Sequence, residues 1–481
     1  MASFTSYATT IFAARNGGRA NKNAILFTMC LGVFVAQLDS SVVNLAVKHI
    51  GSDLDPRVNA LQWVVDSYNL VYASLLLTGG ALGDLYGRTR IFICGIALIV
   101  IGSVICALAP NAGILIAGRV TTGIGAALEL PTSLAIVTVT YADAKERGRA
   151  IGIWASCNGL AIAVGPTIGG LLVDVAGWRS IFVMAVPVTA LALVLAIKAV
   201  PESKDPEGRR LDPIGQALAI AALAALSFVM IEGPHWGWTS PVIVALAVVC
   251  AVTFALFLRI EAGRKGALVP LDVFGNAAFS AALAIAGLMT FGMYAMLFVV
   301  PLYLQSTGGL SAFATGLVLL PMSVVFMIVS QYSGSLANRM GARMIMSAGM
   351  GLMGIGLLFL TLIGRVPNIW LIEVALLVVG VGLGLNTGPV NSVAVANVTA
   401  SRSGTASGLL NTTRMIGATL GIAVLGSVFA VHTSEGTAES MVSGLHVALF
   451  GGAIAELVGA ALALAFIRTD SMEHRPSQAR E

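Results

Sequence analysis

Charged side chains are scarce in this chain of 481 residues. Only 10% of the residues are Asp, Glu, Lys or Arg, whereas 57% are hydrophobic. A soluble chain is about a quarter charged, and it must cover each of its domains with a polar surface. The composition therefore excludes an ordinary soluble protein and predicts one that exposes apolar surface to lipid.

Signatures of several function classes are also missing. The five cysteines form no CxxC pair, so the sequence predicts neither a disulfide framework nor a metal site. Neither an HExxH nor a GxSxG stretch occurs, which argues against an intramembrane enzyme. Without a GxxxxGK[ST] stretch, the energy for any transport must come from a gradient. We expect no cofactor, no enzymatic activity and no nucleic-acid partner.

Fourteen apolar runs are long enough to span a bilayer, because a span needs about 20 residues. The polar segment before them has no cleavable-signal pattern, and the first run is too long for a signal peptide. The predicted spans lie near 24–47, 61–82, 91–109, 112–137, 150–173, 178–200, 214–232, 241–258, 279–304, 312–336, 344–363, 369–391, 406–430 and 443–467.

The placement of Lys and Arg gives the orientation. Of the 27 basic residues, 21 fall in segments on the side of the two termini, four fall on the opposite side, and Arg119 and Arg414 fall within spans. Cytoplasmic loops carry the excess of basic residues. The sequence therefore predicts that both termini are cytoplasmic.

Two stretches of the chain recur in its second half. Residues 80–88 resemble 334–342 at an offset of 254, with Asn338 in place of Asp84, and 148–165 resemble 404–421 at an offset of 256. Internal repeats are typical of secondary transporters. The predicted organisation is a cytoplasmic tail at 1–23, a six-helix bundle at 24–200, a linker with two extra helices at 201–278, a second six-helix bundle at 279–467 and a cytoplasmic tail at 468–481.

Several short motifs are spread over nearly the whole chain. They are residues 38–44 and 63–68 in the first two helices, 83–90 in the following loop, Arg119 with Gly123 and Gly125 in helix four, 165–170 in helix five, and 232–238 between the two inserted helices. In their order and on their predicted sides, these motifs resemble those of the major facilitator superfamily, in particular its fourteen-helix drug–proton antiporters (EmrB/QacA type).

The resemblance implies an all-α polytopic membrane protein with the major facilitator fold. It implies a monomeric, proton-coupled exporter of hydrophobic drugs or toxic small molecules, cationic ones among them, in a bacterial cytoplasmic membrane. Its partners would be the substrate, protons and the lipid bilayer. The sequence leaves open sodium coupling, a periplasmic adaptor, an uptake permease, and an exporter of one dedicated metabolite or antibiotic. A sensor or scaffold is a further alternative, although it usually brings an added soluble domain.

Three intramembrane charges share the predicted outer half of the membrane: Asp39, Asp66 and Arg119. A charge at the bilayer centre costs about 2.5–3.5 kcal/mol, so such residues usually face a partner or a wet cavity. Burial favours a protonated carboxyl, whereas a nearby arginine favours the ionised form. We expect Asp39 or Asp66 to carry the coupling proton with Arg119 tuning it. The alternative is a static buried ion pair that orients helices.

Other intramembrane polar residues are candidates for the substrate cavity. Glu129 lies deeper, two residues before Pro131, in a helix that lines the cavity in this family's fold. It is predicted to contact a cationic or polar substrate group, and the alternative is a carboxylate that is paired locally or extends to the cytoplasmic end. The remaining candidates are Asn44, Met293, Tyr294, Asn386, Asn411 and Arg414.

Two motifs are predicted to act in gating. The first would form a charge latch between helices in the outward-open state, or else a tight solvated turn. The second would provide close backbone approach and a kink, and in the family this motif argues for export. The first comprises Gly83, Asp84, Gly87 and Arg88, and the second comprises Gly165, Pro166, Gly169 and Gly170.

Overall fold

The computed structural model of the protein describes residues 21–54, 58–205, 212–263, 269, 271–399, 402–433 and 437–467. The predicted tails at 1–23 and 468–481 lie outside the described residues, apart from residues 21–23. Ten of the basic residues that served to orient the chain also lie outside them: Arg15, Arg19, Arg57, Arg209, Arg210, Arg264, Lys265, Arg468, Arg475 and Arg480.

Within the described ranges the chain forms fourteen long α-helices and no strand, together with one 3-10 helix at Leu271–Gly275. The helices are α1 Lys22–Leu54, α2 Val58–Tyr86, α3 Arg88–Ala107, α4 Ala112–Thr140, α5 Ala144–Ala176, α6 Arg179–Ala199, α7 Pro213–Trp236, α8 Pro241–Gly263, α9 Ala277–Ser306, α10 Ala312–Met340, α11 Ala342–Leu360, α12 Ile369–Ala396, α13 Ser403–His432 and α14 Ala438–Phe466.

Thirteen of these helices are long and apolar enough to cross a membrane, and α2 is not among them. Polar residues lower the hydropathy of α2, and three of them, Gln62, Asp66 and Asn69, are at most 2% exposed. Their burial shows that the polar side of α2 packs against protein. The fourteen predicted helices are therefore confirmed as helices in the described chain, while the predicted span at 61–82 stays a prediction.

Side-chain caps set the start of several helices. Asn111 accepts from the backbone N–H of Ile114 at the start of α4, and Asp143 accepts from two N–H groups at the start of α5. Thr437 and Ser440 form a reciprocal capping box at the start of α14. Such caps satisfy backbone donors that have no partner inside the helix. At α4, α5 and α14 they leave fewer of the first backbone amide groups unpaired.

The helices pack in two sets with the same internal pattern. In the first set, α1 packs against α4, α5 and α6, while α3 packs against α4 and α6. In the second set, α9 packs against α12, α13 and α14, while α11 packs against α12 and α14. The repeated glycines hold equivalent places, since Gly165 of α5 lies against Ser41 of α1 and Gly421 of α13 lies against Phe291 of α9.

The most extensive contacts between the two sets run along two lines. Helix α5 packs against α10, and α13 packs against α2. The extra helix α7 packs against α2, α13 and α8. Helix α8 is the most exposed of the candidate spans, so its apolar surface suits contact with lipid. The line where α2 meets α13 is called the α2–α13 seam below.

Candidate functional site

A buried ion pair joins α1 to α4. Arg119 donates from Nη1 to the carboxylate of Asp39 and from Nε to the carbonyl oxygen of Val64, at 3.1 Å. Its guanidinium lies 4.5 Å from the ring centroid of Tyr68, whose hydroxyl donates to the carbonyl oxygen of Ala36 at 3.0 Å. Two of the three residues predicted for proton coupling are therefore in direct contact, and the pair also binds α2.

Asp66, the third of these residues, lies at a separate place. It is fully buried in α2, with the hydroxyls of Ser227 of α7 and Thr419 of α13 beside its carboxylate. Neither carboxylate oxygen accepts a hydrogen bond of good geometry from a described group. The structure thus places Asp66 at the α2–α13 seam, and it forms no described hydrogen bond or ion pair with Asp39 or Arg119.

A small cavity lies between the two sets of helices, among α1, α5, α9, α10 and α12. Its volume is about 30 Å³, which is room for about one water molecule. Among the predicted substrate residues, Asn44 and Met293 line it, and Asn44 Oδ1 has no hydrogen-bond partner among the residues that the structure describes. The lining residues are Ser41, Asn44, Leu45, Ile162, Pro166, Met293, Leu297, Leu319, Met322, Ser323, Phe326 and Leu383.

The other predicted substrate residues do not line this cavity. Tyr294 is buried in α9 next to Met293, and Asn386 donates to the carbonyl oxygen of Gly382 within its own helix. Asn411 and Arg414 lie in α13, and Nε and Nη2 of Arg414 have no hydrogen-bond partner among the described residues. In this conformation, some of the predicted substrate residues line the cavity and the others lie within the surrounding helices.

Glu129 is fully buried inside the first set of helices. A Cβ atom added to Gly32 of α1 would lie 2.6 Å from Glu129 Oε1, with Phe92 and Ile96 of α3 next to it. Neither carboxylate oxygen has a partner in the described chain. The carboxylate therefore lies between α1, α3 and α4 and does not line the cavity in this conformation. Its predicted contact with a substrate stays a prediction.

The predicted gating glycines allow α5 to approach two helices. A Cβ atom on Gly165 would strike Ser41, and one on Gly169 would lie 2.5 Å from Val42 Cγ1, both in α1. A Cβ atom on Gly170 would strike the backbone carbonyl of Ala312 at the start of α10. Because α10 belongs to the second set, Gly170 lies where the two sets touch.

The same end of α5 is tied to α10 by a carboxylate. Asp174 accepts from the backbone N–H groups of Ala312 at 3.0 Å and Phe313 at 2.9 Å. Nearby, Lys48 of α1 donates to the carbonyl oxygen of Gln305 of α9 at 2.6 Å. These bonds close the contact between the two sets at the end of the molecule that the sequence predicts to be outside.

One face of the opposite end of α5 has open space next to it, although Trp154 and Asn158 on its other side contact α4 and α1. Cβ atoms added to Gly148, Gly152 or Gly159 would meet nothing within 4 Å in the described part of the protein. Gly334 of α10 is equally free. The two sets are therefore in contact at one end of α5 and apart at the other.

The predicted latch residues are paired with each other. Arg88 donates from Nε and Nη2 to Asp84 Oδ1 at 2.9 and 2.8 Å. No hydrogen bond or ion pair of these two residues reaches α9–α14 within the described ranges. Gly83 nearby packs closely on α4, where a Cβ atom would lie 2.6 Å from a methyl group of Thr132. The role of the latch between helices stays a prediction.

Glu202 is a partner of this loop that the sequence did not reveal. Its carboxylate accepts from the backbone N–H groups of Thr89 at 3.0 Å and Arg90 at 3.2 Å, at the start of α3. Gly87 has a φ of +115°, and a Cβ atom there would lie 2.7 Å from the Glu202 carboxylate. Glu202 thus caps α3, and only glycine fits the turn before it.

One exposed ion pair lies between segments of the second set. Arg402, just before α13, donates to Asp272 in the 3-10 helix that precedes α9. This hydrogen bond holds the pKa of the Asp272 carboxyl below its usual range. The pair joins the beginnings of α9 and α13 at the end where the two sets are apart.

The comparison with protein families agrees with this arrangement of helices and motifs. The family model described as Major Facilitator Superfamily matches residues 29–422. The chain belongs to the Major Facilitator Superfamily. The resemblance that rests on residues 83–90, Arg119 and 165–170 is thereby confirmed, and no enzyme family is indicated.

Several curated members of this superfamily are similar over most of the chain. Multidrug resistance protein Stp of Mycobacterium tuberculosis is 40% identical over 404 residues, which are 84% of this chain and 75% of Stp. Methylenomycin A resistance protein of Bacillus subtilis is 38% identical over 413 residues, 85% of this chain and 88% of the relative. Multidrug efflux pump LfrA of Mycolicibacterium smegmatis is 32% identical over 404 residues, 84% of this chain and 80% of the relative.

Solved structures show the same fold at lower identity. A POT family transporter in complex with 5-aminolevulinic acid aligns with a TM-score of 0.69, covering 92% of this chain and 96% of that one. Its sequence identity of 15% is too low to carry more than the fold. The described chain is thus an all-helical, multi-pass transporter of the superfamily.

Proposed function

We propose that this protein is a proton-coupled exporter, an antiporter that moves hydrophobic drugs or toxic small molecules by alternating access. The observation that carries the proposal is the placement of two features on α1. Asp39 binds Arg119 of α4, while Ser41 and Asn44 on another side of α1 line the cavity. A change of protonation at Asp39 therefore acts on the helix that a bound substrate touches.

The direction of transport is proposed from the relatives and from α5. LfrA is named as a multidrug efflux pump, and the other two relatives are named for drug or antibiotic resistance. The close packing of α5 at Gly165 and Gly170 supports the role in export that is proposed for residues 165–170. An uptake permease is the alternative direction. The methylenomycin relative favours a second candidate function, the export of one dedicated antibiotic.

The arrangement of the helix sets supports an inward-open state. The sets touch at the predicted outer end of α5, through Gly170 and Asp174, and are apart at its predicted inner end. In alternating access, this contact would open as the inner end closes. One proton moving down 100 mV supplies about 2.3 kcal/mol, enough to hold a neutral solute at a gradient of about 50-fold.

The proposed organisation follows the sequence prediction. Residues 24–200 and 279–467 form two six-helix bundles, and 201–278 add two helices, which the matching packing within the two sets supports. Both termini are cytoplasmic, and the protein is a monomer in a bacterial cytoplasmic membrane. A transmembrane proton gradient takes the place of a cofactor. In a bacterium with two membranes, a periplasmic adaptor would be a further partner.

Inverted membrane vesicles with a pH-sensitive dye test the proposal against a panel of compounds. We expect compounds to release protons from wild-type vesicles, and we expect Asp39→Asn and Asp66→Asn to abolish this response. Asp53→Asn is the matched control, because Asp53 lies in the last turn of the same helix α1 but binds Arg179. Full proton-coupled efflux in both Asp39→Asn and Asp66→Asn would contradict the proposal. Efflux driven by a sodium gradient instead would make sodium the coupling ion. Faster accumulation of a compound in cells that contain the protein would indicate uptake.

A further inference from the structure

The extra helix α7 is fixed along the α2–α13 seam by hydrogen bonds at both of its ends. Gln216 donates to a backbone carbonyl of α2 at 2.5 Å, and Trp63 of α2 donates to Glu232 Oε1 at 3.0 Å. Ser427 of α13 donates to the carbonyl oxygen of Met230 at 2.7 Å. Helix α7 therefore binds a helix from each set, and it covers the line where they meet.

Asp66 lies at this seam beneath α7. Its side chain is fully buried, and the hydroxyls beside it come from α7 (Ser227) and α13 (Thr419). It forms no ion pair with a described residue. Besides Asp66, the ionisable side chains of the three helices at described positions are Tyr68, Tyr72, Asp84 and Tyr86 in α2, Glu232 and His235 in α7, and Arg414 and His432 in α13.

These surroundings suit a carboxyl group that gains and loses a proton. A buried carboxylate without a cation is costly, whereas a protonated carboxyl can donate to a hydroxyl oxygen. A hydroxyl can also donate to the ionised form, so Ser227 and Thr419 can serve both states. The proton site and the cavity have separate linings, since neither Ser227 nor Thr419 lines the cavity.

We propose that α7 forms one wall of a proton-binding site at Asp66, in which Ser227 and Thr419 hold the carboxyl group. The inference rests on the proposed function, in which Asp66 carries a coupling proton. In this site the inserted helix α7 shields the Asp66 carboxyl group from lipid. Loss of the proton leaves a charge between α2 and α13, and this charge requires water or a wider seam. Proton release is thereby linked to movement of the two sets.

Infrared difference spectroscopy of the reconstituted protein at low and high pH tests this site. We expect a carboxylic-acid C=O band that disappears in Asp66→Asn and moves to higher frequency in Ser227→Ala and Thr419→Val, because the carboxyl loses a hydrogen-bond acceptor. Ser227→Thr, which keeps the hydroxyl, should restore the wild-type band.

Thr413→Val is the matched control, since the hydroxyl of Thr413 donates to Leu409 of its own helix α13. It should leave the Asp66 band in place. A band that Asp66→Asn removes but that Ser227→Ala and Thr419→Val leave unmoved would overturn the proposed site while leaving Asp66 as a proton carrier. The absence of any band assignable to Asp66 would also overturn it. Proton-coupled efflux that persists in Asp66→Asn would instead count against the proposed function.

Discussion

The carboxylate of Asp39 in α1 is held by the guanidinium of Arg119 in α4, and neither side chain is more than 6% exposed. Arg119 also donates to the backbone of α2 and lies over the ring of Tyr68. One buried pair thus joins three helices. Charges at this depth are tolerated because each has a partner, and removal of one partner leaves the other uncompensated.

The Asp39→Asn variant should therefore be less stable than the wild type, by about 3–5 kcal/mol, because it leaves the Arg119 guanidinium unpaired. The double variant Asp39→Asn/Arg119→Gln removes both charges and should recover part of this loss. Thermal unfolding of the purified proteins measures both changes. Equal stability of the single and double variants would contradict the uncompensated charge as the cause.

The contact of α5 with α10 provides a second test. A Cβ atom on Gly316 would lie 2.5 Å from the carbonyl oxygen of Pro166, and one on Gly170 would strike Ala312. Since these obstacles are backbone atoms, Gly170→Ala and Gly316→Ala should push the helices apart and favour the outward-open state. A strain of 1–2 kcal/mol corresponds to a population change of about 5- to 30-fold.

Labelling of an introduced cysteine measures this change. Ser323→Cys places a thiol in the cavity lining, in a background without the five native cysteines. We expect a membrane-impermeant maleimide added outside to react faster when Gly170→Ala or Gly316→Ala is present. Gly152→Ala is the control, since its added Cβ atom meets nothing within 4 Å. Equal labelling in all three would show that the contact does not gate the cavity.

Asp174 should stabilise the same closed contact. Its carboxylate caps α10 from α5, with bonds to the backbone of Ala312 and Phe313, whereas Asn368 caps α12 from within the same segment. Asp174→Ala should therefore increase labelling of the cavity from outside. Asn368→Ala should cost about 1 kcal/mol of stability and leave the labelling unchanged, because its cap belongs to α12 alone. If both variants increased the labelling alike, the effect would belong to the loss of a helix cap and not to the bond between sets.

Much of the fold could be predicted from the sequence because lipid imposes simple demands on it. Apolar runs predicted the fourteen helices, and the scarcity of intramembrane charge placed Asp39, Asp66 and Arg119 at one depth before any contact was known. Only α2 departed from the rule, since its polar residues face protein instead of lipid.

The direction of each side chain could not be predicted in the same way. In a soluble helix the apolar stripe marks the buried face, but lipid and protein interior are equally apolar, so the rotation of a membrane helix leaves little trace in the sequence. For this reason the depth of Asp66 was predictable, but its neighbours Ser227 and Thr419 were not. Glu202 was missed because its partners are backbone N–H groups far away in the chain.

Glu129 provides the test of substrate contact. Its carboxylate is buried between α1, α3 and α4, so a contact with substrate requires the other conformation to bring it to the cavity. A lost charge-assisted hydrogen bond is worth about 1.5–3 kcal/mol. We therefore expect Glu129→Gln to reduce transport of cationic compounds by about 10- to 100-fold relative to neutral ones, with little change in the proton response.

Glu456→Gln is the matched control for this experiment. Glu456 of α14 is equally buried and lies against Gly292 of α9, and neither of its carboxylate oxygens has a partner in the described chain. Its replacement removes the same charge from the second set of helices and should leave the ratio of cationic to neutral transport unchanged. A compound panel measured in vesicles reports this ratio for both variants. If Glu129→Gln gave the same ratio as Glu456→Gln, Glu129 would have no contact with substrate, because its effect would be that of any buried carboxylate.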